Sequence, residues 1–375
     1  MLRNLFDAAI LQQMNGDRKY SREIDVISRT SVWPSAITLG EGLAVLVARP
    51  GPLEDSATFD RTAGGAEANV ATVLAQLDIE AGWISRVGND GFGRYLVRHL
   101  ARRGIDVAAV AVDPDRPTAV YVKERGSGSA APTDLVEGES RMLYFRTGSA
   151  ASALSPADLM APAAKRLLDK SALVHVTGIT TALSESATQL TDALVSMPRR
   201  GRLVSFDLNY RPALWAARSA DASEVLARHA RHSDVVFLGA DEALAVFGTD
   251  NPAELRALFP EPEHLIVKND AHTVTGFQGD ERVDVPALRL DVVEKIGAGD
   301  AFAGGFLAGL LHGLRQEERI RLGHLCAAAA LTGRGDIAEL PPRERLEELA
   351  ALGSAAWARL DYSASVRAKA DVVPS

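Results

Sequence analysis

The sequence predicts an α/β fold: a mostly parallel central sheet flanked by helices, with a small β-sheet projecting from it. Three observations carry this expectation. Short β-branched runs alternate with helix-spaced apolar stretches and glycine-marked turns along most of the chain. That alternation breaks once, where two strand-like runs at 119–123 and 142–146 follow one another without a helix between them. Finally, residues 292–311 pass from Val292-Val293 through Gly297-Ala298-Gly299-Asp300 into an apolar, small-residue run without proline, which reads as strand or loop, tight turn, then helix.

In chain order, the first strand is expected at Ala36-Ile-Thr-Leu-Gly40, with Glu41 just past its end, where α/β folds meet their ligands. Residues 44–48 and 59–63 read as strands on either side of the Pro50-Gly-Pro52 turn. Gly64-Gly65 opens a helix whose Val70, Val73, Leu74 and Leu77 have helical spacing. A strand at 83–87, a glycine turn at 88–93 and a helix at 94–103 closed by Gly104 come next. The Gly- and Ser-rich stretch 125–133 between the two consecutive strands reads as a flexible loop. Further strands are expected at 173–178, 203–209 and 234–238, helices at 184–197 and from 240 to 247, and a strand with its hairpin partner at 265–268 and 273–277. The expected division is an N-terminal extension over 1–35, one domain over 36–362 with a lid from about 41–63 and 117–147, and a polar tail over 363–375.

With 375 residues there is ample apolar sequence for a core, and a net charge of −8 argues against a general binder of nucleic acid or anionic membranes. Any anionic substrate has to be met by local cations. Cys326 is the only cysteine, so no internal disulfide can form, and its apolar surroundings predict a buried, inert thiol. No apolar run is long enough to span a bilayer, and Asp7 and Gln12-Gln13 interrupt the N-terminal apolar segment as no secretory signal would. The expectation is a cytoplasmic protein.

The chemistry concentrates at residues 297–300. Glycines let backbone approach a ligand, and the first N–H groups of a helix have no internal partner, so such a turn traps anions. Asp300 beside it is placed to take a proton from a hydroxyl attacking phosphorus; read alone, it could equally be a helix cap. Asn69, in the first turns of a helix with a glycine-rich mouth, is either a hydroxyl-binding group or a solvated or capping asparagine.

Three segments, Gly64-Gly-Ala-Glu-Ala-Asn-Val-Ala71, Asp207-Leu-Asn-Tyr-Arg-Pro-Ala-Leu-Trp215 and Gly297-Ala-Gly-Asp-Ala-Phe302, resemble in kind and order the ribokinase-like (PfkB) family of sugar kinases. The resemblance implies a ribokinase-like fold, ATP and Mg2+ as cofactors, Asp300 as catalytic base, Gly297, Ala298 and Gly299 as the anion hole, and Gly64, Gly65 and Asn69 as sugar-binding positions. Within the family the likeness is greatest to 2-keto-3-deoxygluconate kinases, through Gly64-Gly-Ala-Glu-Ala-Asn69, Tyr144-Phe-Arg-Thr-Gly-Ser-Ala-Ala-Ser152, Asn209-Tyr-Arg-Pro212 and Tyr121. A keto acid brings a carboxylate, which Arg146 and Arg211 would clamp, with Tyr121 and Tyr144 along the sugar chain. Read singly, each arginine is instead a surface ion pair and each tyrosine a core aromatic with a wet hydroxyl.

On the nucleotide side, Lys268 and the glycines at 297 and 299 are the expected contacts. The family's Asn-x-x-Glu element stands here as Gly239-Ala-Asp-Glu242, so Glu242 is an indirect magnesium ligand or one of a helix-start acidic pair. Asp336, in Thr332-Gly-Arg-Gly-Asp336, is either a substrate contact or a turn residue. Glu294-Lys295 replaces the usual Asp-Thr before the glycine turn. The expected activity is ATP-dependent phosphorylation of the terminal hydroxyl of a sugar acid, by a homo-oligomer associating through the lid. The rivals are a neutral-sugar or nucleoside kinase and a non-catalytic sugar-acid sensor.

Overall fold

The structure, a computed structural model, describes residues 35–270, 272–333 and 339–367. Its strands are β1 (Ser35–Leu39), β2 (Leu43–Ala48), β3 (Phe59–Gly64), β4 (Glu80–Gly88), β5 (Val110–Asp113), β6 (Val120–Arg125), β7 (Ser140–Phe145), β8 (Leu173–Thr177), β9 (Leu203–Asp207), β10 (Val235–Gly239), β11 (His264–Asn269), β12 (Thr273–Gln278) and β13 (Glu281–Pro286). Nine of them form one sheet in the order β13-β12-β11-β10-β9-β8-β1-β4-β5. Pairs from β11 through to β5 are parallel, and β11-β12-β13 is an antiparallel meander at one edge. The chain leaves β1 towards β4 on one side and returns to β8 on the other. That reversal opens a crevice at the carboxyl ends of the strands, where α/β sheets bind ligands.

Both faces of this sheet are covered, which is why its strands read as continuous apolar runs. Alternate residues of β10 go to opposite sides: Val235 and Phe237 pack under the helices Ala66–Gln76, Ala298–Leu311 and Gln316–Thr332, while Val236 and Leu238 face the helices Glu185–Val195 and Ala222–Arg231. The small residues of Ala298–Leu311 let its neighbours come close. A Cβ at Gly304 would stand 2.6 Å from Val73 Cγ1, and one at Gly305 2.8 Å from both Cys326 Sγ and the Leu322 carbonyl. Cys326 is buried there as expected, and burial pushes its thiol pKa up.

The second sheet, β3-β2-β6-β7, has its own small core of Leu43, Val45, Ala119 and Tyr121. It leaves Phe59, Tyr144 and Phe145 exposed.

Two strands had no counterpart in the sequence reading. β5 is only four residues long, and β13 alternates charges with Val283 and Val285 as an edge strand does, so neither presents an apolar run. Val292 and Val293, which precede the glycine turn, are in a loop: both are about half exposed, and the Val293 and Glu294 amides donate to the Leu331 carbonyl at 2.8 and 3.1 Å rather than to a ladder. The stretch read as flexible at 125–133 is tied down by Asp134, whose carboxylate accepts from the Ser127 amide and hydroxyl and the Ser129 amide at 3.2, 2.6 and 2.7 Å. A helix spans Tyr362–Arg367, with Tyr362 buried against the core, inside the stretch read as the start of the tail. The N-terminal extension up to residue 34, with the short amphipathic piece Leu2-Phe6-Ile10-Leu11, lies outside the described residues.

Candidate active site

Gly297 is the N-cap of the helix Ala298–Leu311 and adopts φ +78°, a left-handed conformation that explains the glycine. The first intrahelical bond runs from the Ala301 amide to the Gly297 carbonyl at 2.8 Å, so the amides of Ala298, Gly299 and Asp300 precede the ladder. Asp300 is therefore the third helical residue and not the cap. Its carboxylate is held from two other elements: Asn69 Nδ2 donates to Oδ2 at 2.8 Å, and Asn209 Nδ2 to Oδ1 at 3.3 Å. Burial raises the pKa of Asp300; the Asn69 bond lowers it, Asp207 raises it, and Arg211 and Lys268 lower it.

Asn69 is placed by the helix Ala66–Gln76, capped by Gly65 at φ +128°. A Cβ on Gly65 would sit 2.3 Å from the Glu41 carbonyl, so the substrate-side loop of β1 and the turn after β3 touch backbone to backbone. Gly64 ends β3, paired with Leu43. Beneath this turn Glu67 is fully buried, its Oε1 accepting from the Thr177 amide, the Thr177 hydroxyl and the Thr180 hydroxyl at 3.0, 2.8 and 2.7 Å. Burial raises its pKa to about 7 against those three bonds.

Beyond Asp300 lies a charged row from the ends of β9, β10 and β11. Lys268 Nζ is 2.9 Å from Asp207 Oδ2, and it also lies 3.8 Å from where a Gly299 Cβ would be. Burial opposes the lysine's charge, but the carboxylates of Asp207 and Glu242 outweigh it and hold its pKa up. Glu242 accepts from the Gly239 amide at 3.3 Å and from Arg211 at 3.0 Å, and burial with Asp207 nearby raises its pKa. Glu242 therefore accepts from the first turn of its own helix and also pairs with Arg211. No group of three or more metal-ligating side chains occurs among the described residues. Magnesium carried by a nucleotide needs only one or two carboxylates, and Asp207, whose buried Oδ1 lacks a hydrogen-bond partner among the described residues, and Glu242 fit that need.

The arginines are not free clamps. Arg146 pairs with the buried Glu41, which also accepts from the Ser149 hydroxyl at 2.6 Å. Both hydrogen bonds of Arg211 run from Nη1, to the Tyr210 carbonyl at 2.9 Å and to Glu242, and its side chain is half exposed. In an acidic chain, carboxylates fill the guanidinium positions that face them. Donors remain: Arg146 Nε is buried without a hydrogen-bond partner among the described residues, and the Nε and Nη2 of Arg211 make no hydrogen bond within them. Tyr121 and Tyr144 face each other across β6 and β7, ring centroids 5.2 Å apart, with the Arg146 guanidinium 5.5 Å from the Tyr144 ring. A further link joins the small sheet to the loop before the glycine turn, Lys123 of β6 pairing at 2.5 Å with Glu294.

Asn209, Asp207 and Glu67 were not among the site residues read from the sequence. Asn209 sits at φ +37°, a conformation asparagine tolerates better than most residues, within the Asp207-to-Trp215 motif. Asp336 lies outside the described residues.

The chain belongs to the pfkB family of carbohydrate kinases, whose family model matches residues 41–343. It is a carbohydrate kinase. It is 35% identical to the 2-dehydro-3-deoxygluconokinase of Thermoproteus tenax, over 85% of this chain and 95% of that one. The 2-dehydro-3-deoxygluconokinase of Bacillus subtilis is 32% identical, over 83% and 94%. Among solved structures, a PfkB protein from Polaromonas sp. JS666 superimposes with a TM-score of 0.72 at 32% identity, covering 85% of this chain and all of that one. No described helix is long and apolar enough to cross a membrane.

Proposed function

We propose that this kinase transfers the γ-phosphoryl group of ATP to the terminal hydroxyl of 2-keto-3-deoxygluconate, in the cytoplasm. The observation that carries the reading is Asp300: a half-buried carboxylate aimed by two asparagines, three residues past the left-handed Gly297 and within the turn of orphan amides. Asp300 accepts the proton of the attacking hydroxyl, and the amides of 298–300, with Gly297 shaping the turn, take the charge on the phosphoryl group in flight. Lys268 and the glycines at 297 and 299 line the phosphate path. Magnesium bound with the nucleotide would neutralise phosphate charge beside Asp207 and Glu242.

Gly64, Gly65 and Asn69 hold the sugar, Tyr121 and Tyr144 cover its chain, and the spare donors of Arg146 and Arg211 receive its carboxylate. The names of the two relatives and the orphaned Arg146 Nε support that substrate class. The small sheet acts as a lid, and its exposed Phe59, Tyr144 and Phe145 favour association of two copies through it.

The test is discrimination between acids and neutral sugars. Arg211→Ala should lower kcat/KM for the keto-deoxy acid about ten- to a hundred-fold, the worth of a hydrogen bond to a charged group, with a much smaller effect on fructose. Equal losses on both substrates would leave the kinase and remove the clamp.

A further inference from the structure

A cavity of about 320 Å³ that shares no residue with the candidate active site is lined by Arg61, Tyr95, Arg98, His99, Arg102 and Arg103. Arg61 comes from β3 of the small sheet; the others lie on or just past the helix Gly91–Ala101 of the main layer. The two parts are in contact. The Arg61 guanidinium lies 4.0 Å from the centroid of the Tyr95 ring, and the Tyr95 hydroxyl donates to the Arg61 carbonyl at 3.3 Å. His99 Nδ1 lies 3.3 Å from that hydroxyl and 3.5 Å from Arg103 Nη1.

Cations in the last turn of a helix answer its carbonyl dipoles, and that accounts for part of the group. It does not account for Arg61, which arrives from another sheet. Among the described residues Arg103 pairs at 3.3 Å with the exposed Glu339, and no carboxylate pairs with Arg61 or Arg102. His99 shows the resulting field, since burial, then Arg103 and Arg102, lower its pKa to about 4. Its Nε2 is buried without a hydrogen-bond partner among the described residues. Arg61, Arg102 and Arg103 bring more guanidinium charge to one cavity than Glu339 offsets, and an anion joining them would relieve their mutual repulsion.

We propose that this cavity is a second ligand site, which takes the phosphate monoester of a small metabolite and ties the small sheet to the main body. Guanidinium forks match phosphate oxygens two at a time, and His99 supplies a further donor.

The His99 C2 proton resonance, assigned with His99→Gln, reads this site and not the nucleotide site. Full-length protein with ADP present would be titrated with glucose 6-phosphate, inorganic phosphate, and chloride at matched ionic strength. The expected result is a saturable His99 shift with the ester, with an apparent Kd at least about tenfold weaker in Arg61→Ala/Arg102→Ala, a loss the size of one charge-assisted bond. Unchanged thermal unfolding of that variant shows that it is folded. No His99 shift, a shift that chloride reproduces, one undiminished in the folded variant, or binding of inorganic phosphate but not the ester would each overturn the proposal.

Discussion

Asp300 must be deprotonated to act as a base yet buried to act in a dry site, and the two demands oppose each other. The Asn69 and Asn209 amides reconcile them by donating to the carboxylate without adding charge. Replacing Asp300 with Asn should lower kcat by about 10²- to 10⁴-fold with little change in thermal stability, as single-turnover and unfolding measurements would show. Near-native turnover would remove Asp300 from the chemistry. Because the folded pKa of Asp300 is raised, activity should fall as pH drops through a value above that of an ordinary aspartate, and a kcat/KM profile checks it. At this scale the positions of Gly297 at a tight turn and Asp300 at the start of a helix were legible from the glycine motif. For Asn69 the sequence left a hydroxyl-binding and a capping or solvated reading open. Asn209 and Asp207 could not be read, because their role comes from meeting partners 91 and 61 residues away.

The helices Ala66–Gln76 and Ala298–Leu311 carry the two halves of the site, and their mutual packing sets the Asn69–Asp300 distance. Gly305→Ala would push a methyl into Cys326 and the Leu322 carbonyl, and should cost about 1–3 kcal/mol of stability by overpacking, readable as a lower urea midpoint. Glu67, buried under the first of these helices, titrates against folding. Its pKa is raised in the folded state to about 7, so its favourable contribution is complete below its unfolded value and is lost as pH rises towards 7. Relative to Glu67→Gln, the wild type should therefore lose on the order of 3 kcal/mol between pH 4.5 and 7 and nothing further above it. A flat difference across that range would mean that Glu67 is not held in the charge-excluding environment described here. Elements themselves were legible where both faces are buried, as in β8 to β11, and illegible at the edges, where the charges of β13 hide the strand.

Across the whole molecule, an acidic chain has to present positive charge to anionic substrates, and at the candidate site Arg146, Arg211 and Lys268 each pair with a carboxylate. Composition predicted the need for local cations; it could not show that Glu41 and Glu242 would occupy Arg146 and Arg211, because those pairs join segments far apart in the chain. The Lys123–Glu294 pair likewise links the small sheet to the loop before Gly297. The topology was legible because the β/α alternation and the single interruption at the small sheet both survive as sequence pattern.

The measurement that bears most directly on this account is a coupled ADP-release assay with magnesium-ATP, comparing 2-keto-3-deoxygluconate, 2-keto-3-deoxygalactonate, gluconate, fructose, ribose and adenosine. The account predicts sugar-dependent turnover with a clear preference for the keto-deoxy acids, abolished by Arg211→Ala. Turnover with a neutral sugar alone would contradict the carboxylate clamp.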